Sequence, residues 1–163
     1  MVDILEERLS LGPRYYENIV TINALKENPV ERIKKETNGK GVDVAFEAVG
    51  HAHEFEGGIN PVRGCIQSIV GGGTVCVLGL GNDPAPVVFK ELIWKEAKIV
   101  SSRVSHGEFA EVIEHLQYNR LKPDMLISRK MHGSEAQKAF HILEEAPAHN
   151  VKILLDFRDS NQA

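Results

Sequence analysis

The stretch Gly71-Gly72-Gly73-Thr-Val-Cys-Val-Leu-Gly79-Leu-Gly81-Asn-Asp sets two glycine turns around a short apolar run. Glycine turns of this kind can bring main chain against a phosphate. A dinucleotide phosphate loop needs Gly-x-Gly-x-x-Gly between a strand and an opening helix, so that amides and the helix N-terminus face the pyrophosphate. Here the third glycine position is Pro84, and Pro86 follows two residues later. Two prolines force extended backbone where the motif needs a helix. The stretch therefore ends some other strand of an α/β sheet.

The remaining candidates for chemistry are few. His51-x-His53 follows a strand end, but two histidines without a third ligand make a poor zinc site, and a surface loop pair is the better reading. Glu47 stands at the carboxyl end of an apolar strand and reads either as a general base or as a paired structural carboxylate. No second catalytic group lies near it in sequence, so the structural reading is preferred. Cys65 and Cys76 sit inside apolar segments without Cys-x-x-Cys spacing, as reduced core thiols do. No catalytic residue and no metal ligand set is assigned.

The elements that must position these groups alternate along all 163 residues, helix then strand, which predicts an α/β fold with a mostly parallel sheet. Asp3 is placed to cap a helix with Glu6 at its third position, stopped by Gly12-Pro13. A strand is expected over Asn18–Asn23. Asn28-Pro29-Val-Glu31 supplies an N-cap, a proline at the first helical position and a first-turn carboxylate, with Asn38-Gly39 as the stop. Val42–Val49 reads as a buried parallel strand ending at Gly50. Val62, Cys65, Ile66 and Ile69 mark one face of a helix ending near Val70, and Thr74–Leu78 is the strand of the opening stretch. Further on, Phe89–Glu96 reads as helix and Lys98–Val104 as strand. Phe109, Val112, Ile113 and Leu116 give an amphipathic helix, as do Ala136, Ala139, Phe140 and Leu143 after a capping box at Ser134-x-x-Gln137. Asp124–Met131 and Val151–Phe157 are the last strands, before a polar tail.

Composition narrows the function classes. A net charge of −4 gives no electrostatic reason to expect nucleic acid as a partner. No apolar stretch approaches membrane-spanning length and no cationic start precedes an apolar run, so a cytoplasmic protein, neither exported nor embedded in a membrane, is expected.

Four segments in this order, Gly41-Val-Asp-Val-Ala-Phe-Glu-Ala-Val-Gly50, Gly72-Gly-Thr-Val-Cys-Val-Leu-Gly79, Glu91-Leu-Ile-Trp-Lys-Glu-Ala-Lys-Ile-Val100 and Val151-Lys-Ile-Leu-Leu-Asp-Phe157, resemble the C-terminal half of the zinc-binding, medium-chain alcohol dehydrogenase family, in its sorbitol and threonine dehydrogenase branch. The resemblance runs from about Val2 to Phe157 and is weakest at Gly12–Glu17. It implies an incomplete Rossmann-like sheet flanked by helices over residues 1–120, a helix-strand segment belonging to the catalytic domain over 121–157, and a tail over 158–163. The family's zinc-binding domain and its first Rossmann strand with the glycine-rich loop precede the part resembled.

The resemblance also implies roles. The main chain at Leu78, Gly79 and Leu80 would hold the nicotinamide carboxamide, Val49 and Gly50 would line the cleft, and Ser102 and Arg103 would flank the nicotinamide. Asp3 would meet the adenosine ribose and Lys152 the pyrophosphate of NAD or NADP. From the residues alone, Asp3 is equally a helix cap and Lys152 equally a solvated lysine. Without the phosphate loop, cofactor binding is expected to be weak or absent. Zinc is not expected, and the chain alone is expected to be inactive. A homodimer through the edge of Lys98–Val104 is expected, with two alternatives: an interaction module with a vestigial cleft, and one half of a split dehydrogenase whose amino-terminal half is a separate chain. Loss of the first strand would bare Val42–Val49, and the expected repair moves Ile19–Asn23 in beside it.

Overall fold

The computed structural model describes residues 1–50, 58–82, 84–102 and 105–158. They divide into two compact units, one made of Val2 with Ile22–His106 and the other of Met1, Asp3–Thr21 and the chain from Gly107 onward.

Strand β1 (Val2–Asp3) is followed by two short helices, α1 (Glu6–Leu9) and α2 (Leu11–Tyr15). The expected cap and stop both fail here. The N-cap of α1 is Leu5, with no side-chain cap, and Asp3 Oδ1 instead accepts from the amides of Ile4 at 2.7 Å and Leu5 at 3.0 Å, which closes a local turn before the helix starts. Gly12 and Pro13 lie inside α2, near its start, where proline's missing N–H costs little. The strand expected over Asn18–Asn23 shrinks to β2 (Ile22–Asn23).

Helix α3 (Pro29–Glu36) forms as its caps dictate: Asn28 Oδ1 accepts from Val30 N at 3.0 Å and Glu31 N at 3.2 Å, and Asn38 and Gly39 leave the helix with φ of 53° and 83°. Strand β3 (Val42–Glu47) leads to α4 (Pro61–Ser68), which opens with the same Asn-Pro device. Asn60 Oδ1 accepts from Val62 N at 3.0 Å and Arg63 N at 3.3 Å. Ile69, expected on the helix, instead starts β4 (Ile69–Val77). The pairing of β4 with β3 shifts across the triple glycine, from Val42 opposite Ile69 to Val44 opposite Thr74. Helix α5 (Phe89–Lys95) ends at Glu96, in the left-handed region at φ 48°, and β5 (Lys98–Ser101) completes a parallel sheet of order β3-β4-β5.

The core of this unit sits under one face of that sheet. Val62, Ile66, Ile69 and Val75 are buried together, with Val42, Ala45, Cys65, Val77 and Leu92 packed around them. Lys95 fastens α4 from outside: its Nζ donates to the carbonyls of Ile66 at 2.9 Å, Gln67 at 2.9 Å and Ile69 at 2.6 Å. One ammonium thus satisfies three carbonyls that the helix end leaves open. Partial burial and the neighbouring Lys34 push its pKa down.

The repair expected at β3 does not occur. β1 and β2 form a two-stranded sheet with each other, and among the described residues β3 pairs only with β4. A two-residue strand already committed to β1 cannot serve a six-residue edge.

In the other unit, α6 (Phe109–Gln117) forms where the spacing placed it. Its apolar side chains Phe109, Val112, Ile113 and Leu116 are nevertheless exposed. Strand β6 (Ile127–His132), helix α7 (Ala136–Glu145) and strand β7 (Lys152–Asp156) make a parallel βαβ unit. The capping box is not made: the cap of α7 is Glu135 without a side-chain bond, and Ser134 N donates to His132 Nδ1. A short 3₁₀ turn at Gly133–Glu135 takes the place of the box.

Lys95→Met is expected to lower stability by about 1–3 kcal/mol, since it leaves the carbonyls of Ile66 and Gln67 at the end of α4 and of Ile69 at the start of β4 without their charged donor. A denaturant titration beside wild type checks this, with an unchanged midpoint as the contrary result.

Candidate functional site

The carboxyl ends of β3 and β4 carry the candidate site, in the place where open parallel sheets hold their ligands. Glu47, the last residue of β3, is only 3% exposed. Its Oε1 accepts from Val49 N at 2.8 Å and Gly50 N at 3.0 Å. Its main-chain carbonyl accepts from Leu78 N at 2.7 Å and Gly79 N at 3.0 Å. One residue therefore ties the loop after β3 to the loop after β4. The two amides on Oε1 replace water that the buried carboxylate loses, and the other two satisfy the main-chain carbonyl.

The two glycines follow from that tie. Gly50 has φ +76°, and a Cβ there would overlap the Leu80 carbonyl oxygen and lie 2.8 Å from its nitrogen. A Cβ on Gly79 would overlap the Gly50 nitrogen and lie 2.6 Å from Gly50 Cα and 2.7 Å from Glu47 Oε2. The loops cross backbone on backbone, leaving no room for a side chain.

Around this crossing, Val49, Leu78 and Leu80 are exposed, Leu80 at 84%. Ser102 N donates to Val77 O at 3.1 Å, which extends the β4–β5 ladder toward the same end. Val49, Gly50, Leu78, Gly79, Leu80 and Ser102 thus belong to one unit. Arg103 lies outside the described residues, as do His51 and His53. Asp3 is half-buried and engaged in its own turn, and Lys152 is an exposed residue at the start of β7, both in the other unit.

The amides of Leu78 and Gly79 are committed to Glu47. Those two amides are therefore not free to donate to a ligand at this loop. Cys65, half-buried beneath the site, has its thiol pushed up to about 11 by burial and then by the charge of Glu47, so it stays protonated at neutral pH. Among the described residues no three His, Cys, Asp or Glu side chains converge as a metal site requires. The described donor set does not fit a catalytic zinc.

Residues 1–118 match the family model described as "Zinc-binding dehydrogenase". The chain belongs to that family. An uncharacterized zinc-type alcohol dehydrogenase-like protein of Haemophilus influenzae is 29% identical over 157 residues, which cover 94% of this chain and 42% of the relative. Among solved structures, the alcohol dehydrogenase TADH of Thermus sp. ATN1 superposes with a TM-score of 0.82 at 27% identity, over 96% of this chain and 43% of that one. The rspB alcohol dehydrogenase of E. coli CFT073, solved with its cofactor NADH, does so with a TM-score of 0.81 at 22% identity, again over 96% and 43%. The chain spans less than half the length of the relatives it matches.

These matches bear out the resemblance read from the four segments, and with it the oxidoreductase family and the α/β, Rossmann-type fold. The family is NAD(P)-dependent. Among the described residues no helix is long and apolar enough to cross a membrane. Sequence reasoning named the loops and missed the Glu47 tie between them. The available signal was an acid closing an apolar strand two residues before a Val-Gly turn.

Gly79→Ala is expected to cost about 1–3 kcal/mol or to prevent folding, because backbone at Gly50 must move. Glu47→Gln keeps an acceptor in place and is expected to cost less than Glu47→Ala. Thermal melts of the three variants rank them, and a silent Gly79→Ala would refute the crossing.

Proposed function

We propose that this chain is the nucleotide-binding and carboxyl-terminal portion of a zinc-type alcohol dehydrogenase-like oxidoreductase, and that it supplies the nicotinamide end of an NAD(P) cleft without catalysing hydride transfer alone. The observation that carries this reading is the loop crossing fixed by Glu47, Gly50 and Gly79 at the carboxyl ends of parallel strands. In it, the main chain of Leu78, Gly79 and Leu80 would hold the carboxamide, while Val49, Gly50 and Ser102 would border the ring, a part that the resemblance also gives to Arg103. By the resemblance alone, Asp3 would meet the adenosine ribose and Lys152 the pyrophosphate. The bound cofactor would supply the hydride chemistry. This chain's residues bind and orient it. The free thiols of Cys65 and Cys76 suit a reducing, cytoplasmic setting.

Cofactor affinity is weak on this reading. A single lysine contact contributes about 1.5–3 kcal/mol, against a cost of about 4–15 kcal/mol for immobilising a ligand. Calorimetric titration with NAD and with NADP is expected to give dissociation constants weaker than micromolar, and the isolated chain is expected to show no alcohol-dependent reduction of either. Micromolar binding that disappears in Lys152→Ala would restore a complete cleft, and zinc-dependent turnover by the pure chain would overturn the reading.

A second reading, a homodimeric module, draws on β5. All four residues of Lys98–Ser101 are exposed, Ile99 at 42% and Val100 at 44%, and among the described residues β5 pairs only with β4. An apolar edge invites continued pairing across a two-fold axis. Sedimentation is expected to show a dimer through the edge of Lys98–Val104, lost in Ile99→Pro. A wild-type monomer at micromolar concentration, or a folded variant that still dimerises, rejects it.

A further inference from the structure

Helices α3, α4 and α5 border an open cleft of about 590 Å³, all within one unit. That volume lies in the range of small-molecule sites, roughly 300–1,000 Å³. Val30 and Ile59 form its apolar wall, and Lys34, Lys90, Trp94 and Lys95 line much of the rest. None of the candidate cofactor residues borders it.

The groups in the cleft differ in what they have left to offer. Trp94, the only tryptophan of the chain, is 79% exposed, with Lys90 Nζ 5.9 Å from its ring centroid. Lys95 cannot swing away, because the carbonyls of Ile66, Gln67 and Ile69 pin its ammonium. Lys34 lies close enough to oppose that charge, and among the described residues its own ammonium has neither a hydrogen bond nor an ion pair. Glu91 also lines the cleft, but Arg63 at 3.2 Å and Gln67 at 3.1 Å hold its Oε1, and its Oε2 is buried. That leaves Glu31 as one free carboxylate against three ammoniums. The cleft is short of negative charge.

We propose that the cleft between α3, α4 and α5 binds a small aromatic carboxylate, with its ring against the Trp94 indole and its carboxylate on the Lys34 ammonium. The ring covers an indole that otherwise faces water, and Lys34 gains the charge-assisted hydrogen bond it lacks. The anion also relieves repulsion between two lysines that packing and hydrogen bonds keep near each other. Lys95 acts through its charge alone, since its three protons already have acceptors. A single carboxylate suits the cleft better than a phosphate dianion, because Glu31 keeps a like charge beside it. The site stands apart from the proposed cofactor loops, and its occupancy does not depend on them.

An NMR titration of the full chain without NAD tests this at the one indole N–H signal, which belongs to Trp94. The probe is benzoate, beside benzamide as the same ring without charge, acetate as the same charge without a ring, and inorganic phosphate. Benzoate is expected to shift the signal to saturation with a dissociation constant of about 1 mM, and the other three to bind about tenfold more weakly or not at all. Lys34→Met, at an exposed position and checked for folding by circular dichroism, is expected to weaken benzoate about fivefold or more, and Lys34→Arg to keep most of the affinity. Lys35→Met removes a charge from the same helix outside the cleft and is expected to leave binding unchanged. No saturation by about 20 mM, equal affinity for any of the three comparison probes, full affinity in Lys34→Met, or an equal loss in Lys35→Met would each overturn the proposal.

Discussion

A buried carboxylate, Glu47, is the interaction on which the candidate site depends. Burying an acid is costly unless charge-assisted bonds replace water. Here Oε1 takes two amides of the loop after β3, and the same residue's carbonyl takes two amides of the loop after β4. Because both sets of bonds originate on one residue, the two loops cannot be placed independently. Their crossing distance is fixed, and that distance admits glycine alone at positions 50 and 79. The site is thus a backbone surface, in which side chains such as Leu80 point outward and can vary.

Much of this unit was legible locally. Asn28-Pro29 announced α3 because the cap, the proline and the stop are all short-range devices, and the structure realises each of them. Asn60-Pro61 is the same signal and opens α4 in the same way, though the apolar spacing at Val62, Cys65 and Ile66 was what drew the helix. The prolines after the opening glycine stretch argued against a helix opening there, and α5 starts only at Phe89, beyond both of them.

What failed depended on tertiary context. Ile69 continues the helical spacing of Val62 and Ile66, yet it is buried at 2% as the first residue of a strand, because the triple glycine lets β4 begin early and then shift register. Spacing alone cannot tell the last turn of a helix from an apolar strand start. Asp3 and Ser134 have the composition of caps, but an Asx turn and a short 3₁₀ turn took their places. Competing local hydrogen bonds of this type are what make such residues ambiguous. Glu47 was weighed as chemistry or structure, and only the amides it meets decide for structure.

The exposed apolar residues carry the remaining argument. Scattered surface hydrophobes need no explanation, but Val44 and Phe46 lie on one strand, and Phe109, Val112, Ile113 and Leu116 lie on one helix at core-facing spacing. Sequence selects such spacing when a face is to be covered. The helix at Phe109–Gln117 forms as its spacing predicts, whereas Val42–Val49, read as a buried strand, leaves Val44 and Phe46 exposed, because β3 has a neighbour on one side only among the described residues. Two-stranded sheets such as β1-β2 and β6-β7 are marginal alone for the same reason, having little apolar face to bury. Local caps and turns can be satisfied by the residues beside them, whereas an apolar strand face is satisfied only by another surface. In this chain the first kind of demand is met almost everywhere, and the second is what its sheet still lacks.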